Sequence, residues 1–394
     1  MNRVNYGNKI QFGLLTFFIV HIFYVQWSYY PKYETLKLVF LLCAAVLLIP
    51  GIKVVVSREF RTVNLCAMLF LLSAFVSSFI NKGRINGALS RGLVYIFIVA
   101  EIIVYIEEAI RINRINTVVE WFYKYSFLYI LISDLLMLAI PSLYSSHGNT
   151  YFVGNKFTLG YLHLFLLGFF CYRYRYNLNR TVKLGVIKKT TIVLWLIVGT
   201  AIFINIQTAC STALVSVFII LVLLLFRFTF DAKKWIIILG VSDTILLAFS
   251  TIVMWKPFQY LIVNVLGESL DLHDRLRIYQ DVIPLILKNP IWGYGARNVY
   301  NLLFFSIQAP NAQNGILNNI VQFGIVGTVL LVLTLFIMLS KGKNCDDCAA
   351  IWILVIWLTI ISAIEITISY EMVFLCALIM GIAIEKSHQE YQNG

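Results

Sequence analysis

The stretch that decides the fold is ILNNIVQFGIVGTVLLVLTLFIML, residues 316–339, which contains no charged side chain. An α-helix needs about 20 mostly apolar residues to cross the hydrocarbon core of a bilayer, and this stretch is long enough. Comparable stretches recur along the whole chain, so the same architecture is predicted throughout. The predicted spans are residues 10–28, 35–51, 62–80, 88–106, 118–140, 157–174, 190–206, 210–229, 234–254, 316–339, 350–367 and 369–385.

The composition agrees with a membrane protein. Of the 394 residues, 60% are hydrophobic and 13% are charged, whereas soluble domains are about 45–50% apolar and about 25% charged. This excludes a set of soluble domains and a disordered chain. We predict an all-α polytopic membrane protein, a single integral membrane domain over residues 1–394 with about twelve transmembrane helices. The closely spaced pairs 190–206/210–229 and 350–367/369–385 are predicted to form tight helical hairpins.

Lysine and arginine residues predict the orientation, because short cytoplasmic loops retain them. The loop 173–189, whose charged residues are all basic, is the strongest cytoplasmic anchor. Both termini are then cytoplasmic if the number of helices is even. The net charge of +12 is explained by this sorting and by contact with anionic lipid. Nucleic acid is not a predicted partner, since no soluble basic domain is present to bind it.

One long segment, residues 255–315, contains no predicted span and falls on the outer side in this orientation. Its stretch 274–289 has apolar residues at helical spacing, which predicts an amphipathic helix with a kink or break at Pro284. A turn containing Gly293 and Gly295 follows. Since long ordered loops usually carry function, we predict one large external loop with amphipathic helices as the functional region.

Chemistry at this face is predicted to depend on cations. The sequence contains no phosphate-binding loop, metalloprotease motif or nucleophile elbow. Cys345 and Cys348 form a C-x-x-C pair without the second pair or histidines of a zinc site, so no metal and no cofactor are predicted. Arginine binds diphosphates bidentately, and positioned cations can neutralise a departing diphosphate without a metal. The predicted external cations of interest are Arg84, Arg91, Lys156, Arg275, Arg277 and Arg297.

Acidic side chains offer two interpretations. Asp271 and Asp274 could act as a general base or orient a sugar hydroxyl, or they could form local ion pairs with Arg275 and Arg277. Ionisable residues within predicted spans are costly in lipid, so each is a functional hypothesis. These residues are Glu101, Lys124, Asp134, His163, Asp243 and Glu365. The base itself is left unassigned, with Asp274 and Glu101 as candidates.

The order of motifs late in the chain resembles the O-antigen ligase/polymerase family, which comprises Wzy-type polysaccharide polymerases and lipid A-core ligases. An arginine is followed by an aromatic residue, an apolar helix, Pro and G-x-G, and then by Asn-x-x-Leu and Gly-x-x-Gly at the start of a spanning helix. The residues concerned are Arg275, Tyr279, Pro290, Gly293, Gly295, Asn314, Leu317, Gly324 and Gly327. A GNKF segment at 154–157 also fits the family.

The sequence departs from the family pattern at two places, and the first departure favours the polymerase branch over the ligases. Many members, notably ligases, have a histidine directly before the late Asn, where this chain has Gln313. The family also often has an arginine in a small-residue motif before a mid-chain helix, whereas residues 207–214 read QTACSTAL. The remaining arginines would then supply more of the positive charge.

The resemblance implies a glycosyltransferase that uses lipid-linked donors. Such an enzyme joins undecaprenyl-diphosphate-linked oligosaccharide repeat units on the outer face of the bacterial cytoplasmic membrane and releases undecaprenyl diphosphate. The resemblance implies that Arg275, Arg297 and Arg91 contact the diphosphate or the sugar, with Arg84, Lys156, Arg277, Tyr279 and Asp274 in support. Gln313 and Asn314 would orient the acceptor, and Gly293 and Gly295 would let the backbone approach the glycan.

Partners and alternatives follow from the same resemblance. Membrane lipid and the lipid-linked oligosaccharide are the expected ligands, and a chain-length regulator and a flippase are candidate partners. The alternatives are an O-antigen ligase-type transferase and a flippase or transporter for the same oligosaccharides. A transporter would be expected to show repeated halves and broken helices at the midplane of the membrane.

Overall fold

The computed structural model describes residues 9–174, 189–226, 229–247, 256–265, 275–343 and 345–393. Within these ranges the regular structure is helical, and the one β-type contact is an isolated bridge between Tyr151 and Gly154. The helices are α1 Lys9–Ile19, α2 Tyr33–Leu48, α3 Arg61–Ile80, α4 Ala88–Arg111, α5 Ile115–Ala139, α6 Ser142–Ser146, α7 Lys156–Arg173, α8 Lys189–Gln207, α9 Ser211–Leu225, α10 Ala232–Leu247, α11 Lys256–Tyr260, α12 Arg275–Lys288, α13 Val299–Ile307, α14 Gly315–Lys341, α15 Ala349–Ile361 and α16 Tyr370–Asn393.

Five of the described helices are long and apolar enough to cross a membrane. They are Tyr33–Val56 (α2 with its 3₁₀ extension), Arg61–Ile80, Ile115–Ala139, Lys189–Gln207 and Gly315–Lys341. The predicted all-helical integral membrane protein is therefore confirmed. The count of about twelve spans and the outer location of the long loop stay predictions.

The centre of the bundle is formed by α15 and α16. Every side chain from Met372 to Met380 is buried, as is every one from Ile351 to Leu358. A helix that is apolar on all sides belongs in the interior of a bundle. Around this centre α3 packs closely on α14, where a Cβ atom added to Gly327 would lie 2.9 Å from the Ser73 hydroxyl.

Helix α14 is interrupted at Gly324, whose backbone has φ 66° and ψ −174°. The segment 289–295, which follows α12, binds the backbone groups that this break frees. Tyr294 N donates to Val321 O at 2.8 Å, and Ile325 N donates to Pro290 O at 2.8 Å. Within a membrane, a non-helical backbone is tolerated only where other parts of the protein form hydrogen bonds with its free N–H and C=O groups. The turn after α12 is therefore part of the helix bundle.

The two predicted hairpins differ in the structure. Helices α8 and α9 are separated only by residues 208–210, which confirms a tight turn. Helix α15 instead ends at Ile361, earlier than the predicted boundary at 367. The carbonyl of Ser362 accepts a hydrogen bond from Gly315 N at 2.8 Å, so it is used by α14. Residues 362–369 form a non-helical connection, here named the α15–α16 junction.

The predicted amphipathic helix over 274–289 is confirmed as α12, Arg275–Lys288. Helix α12 continues through the exposed Pro284, so the predicted break there is wrong, whereas a kink stays a prediction. Its inner face contributes Ile278 and Val282 to a small apolar cluster, which also includes residues of α13 and the start of α14. This packing holds α12 against the bundle and fixes where Arg275 lies.

Candidate functional site

The start of α14 is joined to the α15–α16 junction by one asparagine. Asn314 caps the helix, because its Oδ1 accepts a hydrogen bond from Leu317 N at 2.7 Å. Its Nδ2 donates to Asp243 Oδ1 of α10 at 3.0 Å and to Ala363 O at 3.1 Å. Both ends of this amide are thus engaged within the protein, and Asn314 fixes three elements relative to one another.

Arg275, at the first turn of α12, forms an ion pair with Glu365 of the junction. Nη2 of Arg275 lies 2.8 Å from Oε1 of Glu365, and both side chains are only 11% exposed. The sequence predicts Glu365 to lie inside a spanning helix. The structure corrects this, since Glu365 lies in the non-helical junction.

Tyr279 lies one turn after Arg275 and binds the same junction. Its hydroxyl donates to Gln313 O at 2.9 Å and lies 3.4 Å from Ala363 O. The side chain is buried, so Tyr279 anchors α12 to the start of α14. Gln313 itself has a left-handed backbone with φ 52°, a conformation that is uncommon for residues other than glycine.

Lys156 approaches the same carboxylate from α7. Its Nζ donates to Ala209 O at 2.9 Å. Burial raises the pKa of Glu365 above the usual range, while Arg275 and Lys156 act in the opposite direction. Two predicted cations from distant parts of the sequence therefore act on one buried carboxylate, Arg275 by direct contact and Lys156 through its charge. We name Arg275, Lys156 and Glu365 the junction cluster.

A second basic group forms around Arg91, at the start of α4. Its Nε donates to Asn298 Oδ1 at 2.8 Å, and its Nη2 donates to Asn86 O at 2.5 Å. Arg297 has a left-handed backbone with φ 57°, and its amide donates to Gln322 Oε1 at 2.8 Å. This arrangement attaches Arg297 to α14 just before the break in that helix.

The charge of Arg297 acts on the start of two other helices. It lies within electrostatic range of Lys37 in α2 and of Tyr370 at the start of α16. The carboxylates of Glu34 and Glu371 act on the same two residues. We name Arg91, Arg297 and Lys37 the α4–α16 cluster. Lys37 was not among the predicted site residues, because nothing near it in the sequence marks it.

The two glycines of the G-x-G turn face protein. A Cβ atom on Gly293 would lie 2.5 Å from the backbone nitrogen of Gly324, and one on Gly295 would lie 3.0 Å from Ser78 Cα. Both have positive φ. Because these glycines have no side chain, the turn can pack closely against α14 and α3. This packing is sufficient to explain glycine at both positions, and no bound glycan is needed to explain it.

Two of the predicted site residues, Arg84 and Arg277, are exposed and belong to neither cluster. Arg277 pairs with Asp281 at 3.4 Å and donates to Ile307 O at 3.1 Å. Asp274, like Asp271, lies outside the described residues, so the proposed local pairs with these acids stay predictions.

Glu365 is the residue of the junction cluster that sequence analysis did not include among the site residues. Its signal was a carboxylate within an apolar run, which marked it as one of several functional hypotheses. Its pairing with Arg275 joins positions far apart in the chain and could not be found from spacing. Among the described residues, no group of three or more His, Cys, Asp or Glu is arranged to hold a metal ion.

Comparison with known proteins locates a family domain in the second half of the chain. None of the curated proteins matches the chain. The matched region begins in α8 and ends within α14, so it includes Arg275, Arg297 and Asn314 but not Lys156, Arg91 or Glu365. Residues 192–332 match the model of the O-antigen ligase family, which confirms the family that the sequence resembles.

Proposed function

We propose that the protein is a polysaccharide polymerase of the O-antigen or capsule type. It joins undecaprenyl-diphosphate-linked repeat units on the outer face of the cytoplasmic membrane and releases undecaprenyl diphosphate. The observation that carries this proposal is the junction cluster, where the largely enclosed Arg275 side chain forms an ion pair with Glu365 and the charge of Lys156 acts on the same carboxylate. The match of residues 192–332 to the O-antigen ligase family supports glycan transfer of the ligase or polymerase type.

The chemistry requires a place for the charge of the leaving diphosphate. Arg275 can bind two phosphate oxygens through its planar guanidinium group, and Lys156 adds a second positive charge. Burial strengthens such interactions, because a low local dielectric screens charge less than water does.

The presence of two basic clusters favours a polymerase. In polymerisation both the donor and the acceptor are lipid-linked diphosphates, so two anionic headgroups must be held at once. The junction cluster would hold the donor, and the α4–α16 cluster with Arg91 and Arg297 would hold the acceptor. Both termini and the loop 173–189 would face the cytoplasm, and a chain-length regulator and a flippase are the proposed protein partners.

A ligase is the second candidate, because the matched family is described as O-antigen ligase. A ligase would transfer a finished glycan to an acceptor such as a lipid A core. Gln313 stands where ligases of the family often have histidine, which favours the polymerase. The two functions are distinguished by their acceptors.

The test is reconstitution of the purified protein with a synthetic undecaprenyl-diphosphate repeat unit, without nucleotide or added metal. A ladder of lengthened glycans is expected, and Arg275→Ala should abolish it. Lys288→Ala is the matched control, since Lys288 is an exposed cation on the same helix, and it should keep the ladder. Transfer to a lipid A core without a ladder would identify a ligase. Transport across vesicles without transfer would refute both enzymes.

A further inference from the structure

Glu365 is the carboxylate of the junction cluster and the candidate proton acceptor. Among the described residues, the one hydrogen bond to this carboxylate comes from Arg275 and goes to Oε1. The second oxygen, Oε2, accepts no hydrogen bond within the described structure and is not among the fully buried polar atoms that lack a partner, so it keeps some exposed surface. The carboxylate thus combines a fixed position with one available acceptor oxygen.

The surroundings of Glu365 are suited to a reacting sugar and its leaving group. Within the part of the chain that the structure describes, Tyr161 of α7 and Tyr279 of α12 also interact electrostatically with it, besides Arg275 and Lys156. The Tyr161 hydroxyl is buried and makes no hydrogen bond in the described structure. A buried hydroxyl without a hydrogen-bond partner is unfavourable, and a sugar hydroxyl or phosphate oxygen would supply that partner.

We propose that Glu365 is the general base of the glycosyl transfer. This inference rests on the proposed transferase function and adds the residue that activates the acceptor. Oε2 of Glu365 removes the proton from the acceptor hydroxyl as that oxygen forms a bond to the anomeric carbon of the donor sugar. The bond from this carbon to the phosphate oxygen breaks, and its electron pair leaves with the diphosphate.

The charges balance within the junction cluster. The proton moves to Glu365, and the negative charge moves to the diphosphate beside Arg275 and Lys156. Glu365 then loses its proton to water when the product leaves. Burial raises the pKa of this carboxyl, which makes it a stronger base than an exposed carboxylate.

The variant that tests this role is Glu365→Gln, because glutamine keeps the size of the side chain and can still accept a hydrogen bond from Arg275. Removal of a general base costs about 10²–10⁴-fold in rate. We expect kcat of ladder formation to fall by at least about 100-fold, with the KM for the lipid-linked donor close to that of the wild type. Glu365→Asp should keep part of the activity. Glu390→Gln, an exposed glutamate on α16, is the matched control.

The possible outcomes distinguish a failure of the proposed base from a failure of the proposed function. A wild-type protein that forms no ladder refutes the proposed polymerase, whereas a wild-type ladder that Glu365→Gln preserves refutes only the base. An increased KM with an unchanged kcat would show that Glu365 merely positions Arg275, and would also overturn the proposal. Formate, a small carboxylate, should restore activity to Glu365→Ala if the missing group is a base. Melting temperatures of all variants identify any loss of folding.

Discussion

Substitution of Gly324 by alanine should separate the G-x-G turn from helix α14. An added Cβ atom would lie 2.0 Å from Ile291 O and 2.5 Å from Trp292 N. These neighbours are backbone atoms, so no side-chain rotation relieves the contact. The backbone angles of Gly324, φ 66° and ψ −174°, also lie in a region that is populated almost only by glycine.

The expected decrease in the free energy of unfolding is the sum of two contributions. The backbone conformation costs an alanine about 1–3 kcal/mol. Relief of the contact must move the turn, which breaks the hydrogen bonds of Tyr294 N, Gly295 N and Ile325 N, each worth about 1 kcal/mol. The total is about 4–6 kcal/mol, a large part of the stability of an ordinary domain.

The assay is thermal unfolding of the purified protein in detergent, with a fall of roughly 10 °C expected for Gly324→Ala. Gly199→Ala is the matched control, because Gly199 lies in α8 with no heavy atom within 4 Å of an added Cβ. Alanine is a better helix former by about 1 kcal/mol, so this control should melt at the same temperature or higher. Equal melting of Gly324→Ala and the wild type would refute the described joint between turn and helix.

Three further predictions concern the site and the opposite end of α15. Asn314→Ala removes the cap of α14 and the contact with Asp243, so the free energy of unfolding should fall by about 1–2 kcal/mol, measured by thermal unfolding; unchanged stability would contradict the capping role. Because a protonated carboxyl cannot accept a proton, kcat should fall as the pH is lowered through the raised pKa of Glu365. The fall should begin at a higher pH than it would for a glutamate with an ordinary pKa. A kcat that does not change with pH would contradict this role. A hydrogen bond from the Cys348 thiol lowers the pKa of half-exposed Cys345, so mass spectrometry should find Cys345 alkylated by iodoacetamide before buried Cys348.

The apolar stretches predicted the all-helical membrane architecture because a bilayer leaves few alternatives to the helix. The same reasoning placed α12 correctly, since Ile278 and Val282 recur at helical spacing. It could not place the end of α15, because ISAIEITIS, residues 361–369, is apolar enough to continue a helix. What ends α15 is a tertiary contact, the bond from Gly315 N to the Ser362 carbonyl.

Prediction of the site was limited for a related reason. Arg275 and Lys156 were identified by their charge in predicted outer loops, which is a local property. Their joint action on Glu365 depends on how α7, α12 and the junction pack, and no spacing in the sequence encodes it. The glycines of the G-x-G turn show another limit of prediction from the sequence. Their conformational freedom is visible in the sequence, but the partner that needs it, the backbone of α14, is not.

The first part of α14 connects the two basic clusters. At its start, Asn314 binds the α15–α16 junction, which contains Glu365. Near its break, Gln322 holds the amide of Arg297. Residues 315–323 rise about 1.5 Å each, so this short helix sets a fixed separation between the clusters. If one cluster holds the donor and the other the acceptor, a rigid helix between them places the two sugars for transfer, and the closure of the break at Gly324 by the G-x-G turn keeps that helix in place.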